Sequence, residues 1–263
     1  MPSTKFLGKT PRKVLPVFYV LDTSGSMEGE RIAALNKAMG ETTWALSQQA
    51  EKNADALVKI AVLEFNSDCQ WVQPEGPEDM EDFIWSDLSA GGMTDIGRAL
   101  KELDDKLSPD KFLQSDTGMC LPVIIFMTDG FATDNYKEAL EQIRKNKWFV
   151  HGTKVGFAIG DNPDIAMIAD VVGDSAAVIY TEDMEKFASQ LKFVTATASQ
   201  LCSISRTSAE KVTGSSVVER AVAEEVISDE EIPKDVPYTP MSEDLEEFGD
   251  DYDSFFDADF SGE

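Results

Sequence analysis

Histidine and cysteine, from which most zinc sites and many nucleophilic sites are built, are scarce in this chain. Its 263 residues include one histidine, His151, and three cysteines, Cys69, Cys120 and Cys202. The cysteines are odd in number and show no paired spacing, so we expect reduced, mostly packed thiols. No Gly-x-Ser-x-Gly motif accompanies His151, for which we expect a structural or surface role. These shortages disfavour a zinc centre and a serine-hydrolase triad.

Long apolar runs and positive charge are also lacking. No apolar run approaches the roughly 20 residues that span a bilayer, and no signal-peptide core follows the basic residues near the N-terminus. Lysine and arginine number 23 against 49 acidic residues, which gives a formal net charge of −26. Such a field repels nucleic-acid phosphates and anionic lipids. We therefore expect a soluble, cytoplasmic protein that binds neither nucleic acid nor membranes.

The acidic residues are concentrated towards the C-terminal end. From Ala221 onward the sequence contains 16 acidic residues and one lysine. Charge outweighs apolar content there, so we expect residues 203–263 to form an acidic tail that is largely disordered. A helical stretch within residues 207–232 stays open, because Val217 and Val218 are apolar. A docking peptide is indicated by five aromatic residues among the acids, namely Phe248, Tyr252, Phe255, Phe256 and Phe260.

Residues 1–202 show strand-like runs that alternate with amphipathic helices. The segments 15–21 and 121–127 are almost continuously apolar, which is typical of parallel strands covered on both faces. A short segment near residue 70 is expected to pair at the edge with a strand over 58–65. The pattern predicts one α/β domain: a doubly wound, mainly parallel sheet with one antiparallel edge strand and helices on both faces. The remaining predicted strands cover 154–159 and 177–180, and the helices cover 29–52, 94–106, 135–147, a stretch from 162, and 184–200.

Oxygen-bearing side chains follow the predicted strands in three separate loops. Asp22, Ser24 and Ser26 come after the first strand, Thr94 follows a pair of glycines, and Asp129 comes after the strand over 121–127. In an open α/β sheet, ligands gather beyond the carboxyl ends of the strands where the strand order reverses. Hard divalent cations prefer such an all-oxygen set, without sulfur or imidazole. The sequence therefore predicts a site for Mg²⁺, with Mn²⁺ as the alternative.

Several of these residues also allow a plainer interpretation. Asp and Ser are common at helix N-caps, so the segment around Ser24 alone would also fit a capped helix start. We interpret Asp95 as a helix cap, with a supporting role behind the metal as the alternative, and Asp134 as a cap. Strand alternation points Thr128 away from its neighbour, which indicates a structural role. We expect Met27, Met93 and Met127 to be packing residues. Alternatively, Met27 and Met93 form an apolar rim near the metal loops.

The Asp-x-Ser-x-Ser sequence, the distant Thr and the distant Asp resemble the von Willebrand factor A domain with its metal-ion-dependent adhesion site (MIDAS). The resemblance covers about residues 11–200. It implies that Ser24 and Ser26 bind the metal directly, Thr94 directly or through water, and Asp22 and Asp129 mainly through water. In that family an acidic residue of a partner completes the coordination. The sequence is most similar to bacterial TerY-type members, which are associated with tellurite-resistance and stress gene clusters alongside kinases and phosphatases.

These features predict a non-catalytic, Mg²⁺-dependent protein-interaction module whose partner offers an exposed Asp or Glu. Kinase or phosphatase components are the partners that the resemblance implies. The alternative is a metal-dependent phosphohydrolase or phosphoryl-transfer enzyme in which Asp22 and Asp129 hold a metal with an activated water. Arg98 is the only basic residue expected close to the motifs, which disfavours that alternative. The acidic tail either occupies the metal in cis or docks a second protein, and its aromatic residues favour docking.

Overall fold

The computed structural model describes residues 12–50, 56–204, 212–234 and 236–240. The strands are β1 (Lys13–Asp22), β2 (Ala56–Phe65), β3 (Cys69–Trp71), β4 (Glu78–Asp79), β5 (Val123–Thr128), β6 (Thr153–Ile159) and β7 (Val178–Thr181). The helices are α1 (Glu30–Ala50), α2 (Ile96–Lys106), α3 (Tyr136–Ile143), α4 (Lys147–His151), α5 (Ile165–Val172), α6 (Met184–Ile204) and α7 (Gly214–Ala223). None of the described helices is both long and apolar enough to cross a membrane.

The strands form one sheet in the order β3-β2-β1-β5-β6-β7, and β4 also pairs with β2. Strands β2, β1, β5, β6 and β7 run parallel, whereas β3 and the two-residue β4 are antiparallel to β2. The predicted doubly wound, mainly parallel sheet with an antiparallel edge is therefore confirmed. Parallel strands of this kind are buried on both faces, which explains why β1 and β5 read as continuous apolar runs.

Successive residues of β1 point to opposite faces of the sheet and so enter two separate cores. Tyr19 lies in the core that packs under α1, α6 and α7, and Phe18 lies in the core that packs under α2, α3 and α5. Both side chains are fully buried. Helices therefore cover both faces, as the alternation of strands and helices predicts.

The region predicted as one helix over 135–147 is two helices, α3 and α4. The break comes at Asn146, whose side chain accepts a hydrogen bond from the backbone N–H of Trp148 at 3.0 Å and so caps α4. The same amide donates to the carbonyl oxygen of Leu107 at 3.0 Å. The side chain of Asn146 thus forms hydrogen bonds with both the first turn of α4 and the loop at Leu107, which favours a break between α3 and α4 at this point.

The chain beyond residue 202 contributes to the packed domain. The helical stretch left open within 207–232 is confirmed as α7, and Val217, Val218 and Ala221 are fully buried in the core shared with α1 and α6. The sequence predicts a tail from residue 203, whereas these apolar side chains pack on the sheet because they share one face of a helix. The aromatic residues at 248–260 lie outside the described residues.

Candidate metal centre

The predicted site lies where the strand order of the sheet reverses. Strand β1 lies between β2 and β5. After β1 the chain first forms β2, β3 and β4 on one side of it, and then crosses back to form β5 on the other side. Asp22 is the last residue of β1, and Asp129 comes directly after β5. The parallel register pairs Leu21 with Met127, so the carboxyl ends of the two strands meet. This is the edge at which open α/β sheets bind ligands.

Asp22 is a fully buried carboxylate held by two donors. Its Oδ1 accepts the backbone N–H of Ser24 at 2.7 Å, and its Oδ2 accepts the hydroxyl of Thr128. Burial raises the pKa of Asp22, the hydrogen bonds from Ser24 and Thr128 oppose that rise, and the charge of Asp129 adds to it. In the part of the chain that the structure describes, Asp22 has no ion pair. A buried carboxylate without a counter-charge fits a bound cation.

The two serines link the loop after β1 to the loop after β5. Ser24 Oγ lies 3.0 Å from Ser26 Oγ, and Ser26 Oγ donates to Oδ1 of Asp129 at 2.6 Å. Ser24 is buried, whereas Ser26 is exposed. The hydroxyl oxygens of Ser24 and Ser26 therefore form a row that runs from the buried interior to the exposed surface at this edge of the sheet.

Glycines let the three loops approach closely enough to share one site. Gly25 N donates to the carbonyl oxygen of Gly92 at 3.0 Å, and a Cβ on Gly25 would lie 3.2 Å from that oxygen. A Cβ on Gly130 would lie 3.5 Å from Ser26 Oγ and 3.7 Å from Thr94 Oγ1. Both hydroxyls therefore face the same short stretch of backbone next to Asp129. The structure thus brings together the three loops that contain all five predicted residues.

Thr94 is fixed by Thr133, a residue that the sequence does not single out. The backbone N–H of Thr94 donates to Thr133 Oγ1 at 3.0 Å, and Thr133 N donates to the carbonyl oxygen of Thr94 at 2.9 Å. Thr133 Oγ1 in turn donates to Oδ1 of Asp95 at 2.8 Å. Asp95 occupies the N-cap position of α2 but makes no capping bond. Its predicted capping role is therefore wrong, and its carboxylate supports the threonine pair instead.

Asp134 caps α2 from a distant loop. Its two carboxylate oxygens accept the backbone N–H groups of Gly97 and Arg98, both at 2.9 Å. The sequence predicts a cap for the helix that follows Asp134, whereas the helix that it caps begins 38 residues earlier in the chain. The start of α2, and with it the loop that contains Thr94, is thereby tied to the loop after β5.

Arg31, in the first turns of α1, is a site residue that sequence reasoning misses. Its Nη1 lies 2.6 Å from Oδ2 of Asp129 and donates to the carbonyl oxygen of Ser26 at 3.1 Å. Arg98, expected to be the only close basic residue, instead pairs with Asp68 at 2.9 Å. The available signal is position, because α1 begins directly after the serine loop and its first turns lie at the same sheet edge.

Other residues considered from the sequence lie apart from this cluster. His151 ends α4 immediately before β6 begins, at the opposite edge of the sheet. Met27 and Met127 are fully buried packing residues, whereas Met93 is 56% exposed. Phe131 is 55% exposed on the loop after Asp129. Met93 and Phe131 each lie within two residues of a predicted ligand, whereas Met27, the other residue considered for an apolar rim, is buried. Among the described residues, no three His, Cys, Asp or Glu side chains cluster in a way that could hold a metal.

The sequence matches the von Willebrand factor type A domain over residues 17–197. This match spans more than half of the chain, which therefore belongs to the von Willebrand factor type A domain family. Domains of this family are often metal-dependent protein-interaction modules. Comparison with curated proteins gives no match.

Solved structures share the fold at low sequence identity. A von Willebrand factor type A protein from Catenulispora acidiphila has a TM-score of 0.55 and 18% identity, covering 71% of this chain and 42% of its own. Proximal thread matrix protein 1 from the mussel byssus, described with a zinc-occupied MIDAS motif, has a TM-score of 0.55 and 15% identity, covering 72% and 48%. The pilus adhesin SpaC from Lactobacillus rhamnosus GG has a TM-score of 0.55 and 11% identity, covering 72% and 30%. The chain thus spans less than half the length of each.

Proposed function

We propose that this chain is a non-catalytic, Mg²⁺-dependent protein-interaction module in which an Asp or Glu of a partner completes the metal coordination. The observation that supports this most directly is the buried Asp22, which has no ion pair among the described residues and accepts the backbone N–H of Ser24. The Ser24 hydroxyl in turn lies 3.0 Å from the hydroxyl of Ser26. A divalent cation would supply the missing counter-charge. Oxygen ligands of this kind suit Mg²⁺, and Mn²⁺ is the alternative ion.

In this proposal the hydroxyls of Ser24, Ser26 and Thr94 hold the cation, and Asp22 and Asp129 support it mainly through water. Neutral hydroxyls neutralise less of the metal charge than carboxylates do. The bound cation would therefore offer a strongly favourable coordination position to an incoming carboxylate. The two buried carboxylates would balance the charge of the cation without occupying the coordination position that is left for the partner.

The partner surface is proposed to combine an acidic residue with apolar neighbours. Met93 and Phe131 are more than half exposed on the loops that contain Thr94 and Asp129. Exposed apolar side chains around a polar centre are typical of recognition surfaces. The resemblance to bacterial TerY-type members extends the proposal to a cytoplasmic stress-response complex of the tellurite-resistance type, with kinase or phosphatase components as partners.

A metal-dependent phosphohydrolase remains the second candidate, because Arg31 places a guanidinium at the site. Arg31 is bound to Asp129, however, so its guanidinium is already paired with a carboxylate of the site. Phosphatase turnover by the wild-type protein that Ser24→Ala abolishes would support the enzyme and overturn the module.

Metal binding and partner capture test the proposal together. Mg²⁺ and Mn²⁺ are titrated calorimetrically into the wild type, Ser24→Ala and the control Ser189→Ala, which removes an exposed hydroxyl from α6. The same proteins are then used to capture partners from a lysate in Mg²⁺ and in EDTA. We expect Ser24→Ala to lose both metal binding and capture while its circular dichroism stays unchanged. Equal capture by all proteins in both conditions would overturn the proposal.

The role of the acidic tail is tested by truncation after Pro240, because α7 is part of the packed domain. Residues 241–263 contain ten acidic residues, five aromatic residues and no lysine or arginine. We propose that they either occupy the metal in cis or dock a second protein. Tighter partner binding after truncation indicates occupation in cis, and loss of a captured protein indicates docking. Unchanged binding and capture would contradict both roles.

A further inference from the structure

The two buried carboxylates of the metal centre differ in their partners. Asp22 receives only neutral donors, from the backbone of Ser24 and the hydroxyl of Thr128. Asp129 receives a neutral donor at Oδ1, the hydroxyl of Ser26, and a cation at Oδ2, the guanidinium of Arg31 at 2.6 Å. The Asp129 side chain is fully buried, and that of Arg31 is 32% exposed. One acid is thus available to neutralise a metal, while the other already has a counter-charge.

Arg31 is held in this position by backbone as well as by charge. Its Nη1 also donates to the carbonyl oxygen of Ser26 at 3.1 Å. Its guanidinium lies against Gly160, just after β6, where a Cβ would come within 2.7 Å of Nε and 2.8 Å of Nη2. Gly160 has a φ of +88°, a conformation that glycine adopts without strain. Because Gly160 has no side chain, the planar guanidinium group of Arg31 can pack directly against the backbone at this edge of the sheet.

An ion pair of this kind changes how well Asp129 can serve as a metal ligand. A carboxylate that already neutralises a guanidinium has less negative charge to offer a second cation, and moving it would break a charge-assisted hydrogen bond. The pair is shielded from water on the Asp129 side, so solvent screening weakens it less than it weakens an exposed pair. The cost of direct coordination is therefore higher for Asp129 than for Asp22.

We propose that Arg31 is a positioning residue that keeps Asp129 from coordinating the metal directly and so reserves a coordination position for a partner carboxylate. This inference rests on the proposed function. It predicts that removing the guanidinium has opposite effects on two affinities: the metal binds more tightly, because a full carboxylate becomes available, and an external carboxylate binds more weakly. A merely structural role of Arg31 would weaken both.

Mn²⁺ and acetate are probes that separate the two affinities without a known partner. The full-length wild type and Arg31→Gln are titrated with Mn²⁺, and the relaxation of water protons reports how many waters the bound ion keeps. Acetate is then added to the loaded proteins, where it displaces water. We expect Arg31→Gln to bind Mn²⁺ about fivefold more tightly, the equivalent of roughly 1 kcal/mol for one ion pair. We also expect fewer waters on the ion and a smaller acetate effect, whereas Arg31→Lys, which keeps the charge, should lie between the two.

The control is Arg98→Gln, which removes the same charge from α2 without touching Asp129, since Arg98 pairs with Asp68. It should leave the number of bound waters and the acetate effect unchanged. Unchanged or weakened Mn²⁺ binding by a folded Arg31→Gln, or equal effects of the two glutamine variants, would overturn the inference. Failure of the proposed function is distinguishable, because Ser24→Ala would then bind Mn²⁺ as the wild type does.

Discussion

The hydroxyl of Thr128 donates a hydrogen bond to Oδ2 of Asp22 and so joins the ends of β1 and β5. Oγ1 of Thr128 also accepts the backbone N–H of Gly130 at 3.2 Å. Thr128 and Asp22 are both fully buried, so no solvent replaces this donor if it is removed. The hydroxyl therefore supports the carboxylate on which the proposed metal centre depends, from a residue that is not itself a proposed ligand.

Thr128→Val should destabilise the protein by about 1–3 kcal/mol, because a buried carboxylate loses a donor while the shape of the side chain is preserved. Urea unfolding measures the change. The matched control is Thr42→Val in α1, because Thr42 is fully buried and its Oγ1 has no hydrogen-bond partner in the described part of the chain. That variant should be neutral or slightly stabilised. Equal losses in the two variants would show that the Thr128 hydrogen bond contributes nothing of its own.

The sequence predicts the fold and the site loops well because both depend on local patterns. Near-continuous apolar runs mark the parallel strands, and polar residues mark the points at which those strands end. Asp22 and Asp129 are recognisable for this reason, without knowledge of any contact. The role of Thr128 is different, since it depends on the register between β1 and β5, and strand alternation alone points its side chain elsewhere.

Contacts between distant loops explain the other differences. Arg31 reaches Asp129 across 98 residues, and Asp134 caps a helix that begins 38 residues earlier, so local spacing rules miss both. The helix α7 has a recognisable apolar face, but the acidic composition of the surrounding sequence outweighs it when charge is averaged over the whole segment. Its burial becomes evident only once the cores under α1 and α6 are known.

Asp134→Ala should cost about 1–2 kcal/mol of stability, in the range measured for the loss of an N-cap side chain. Both of its oxygens accept backbone N–H groups at the start of α2, which would be left without these acceptors. Asp134→Asn keeps one acceptor oxygen and should lose less. Asp110→Ala, on an exposed turn, serves as the control in thermal unfolding. A loss no greater than that of the control would argue against a capping role in solution.

Cys69 should react slowly with alkylating reagents, although it is partly exposed. Burial raises the pKa of its thiol from an ordinary value of 9.0 to about 12, and the charge of Arg98 opposes that rise. Since the thiolate is the nucleophile, and a thiolate of higher pKa reacts faster once formed, alkylation by iodoacetamide at pH 8 should be roughly 10- to 100-fold slower than for a free thiol and should increase about tenfold per pH unit. Arg98→Gln should raise the pKa further and slow the reaction. Rates equal to those of the urea-unfolded chain would contradict this, as peptide mass spectrometry can determine.

Gly214→Ala should separate α7 from the sheet. A Cβ at this position would overlap the carbonyl oxygen of Lys154 in β6 and come within 2.7 Å of the Ala177 Cβ. Because backbone cannot give way as a flexible side chain does, we expect a loss of at least about 1–3 kcal/mol in urea unfolding. Gly40→Ala in α1 is the matched control, since its Cβ would meet only Trp85 at 3.7 Å. That variant should instead gain about 0.5–1 kcal/mol, as alanine favours helix over glycine. If both variants shifted stability in the same direction, the packing of α7 against β6 would not describe the protein in solution, and truncation after Pro240 would lose its rationale.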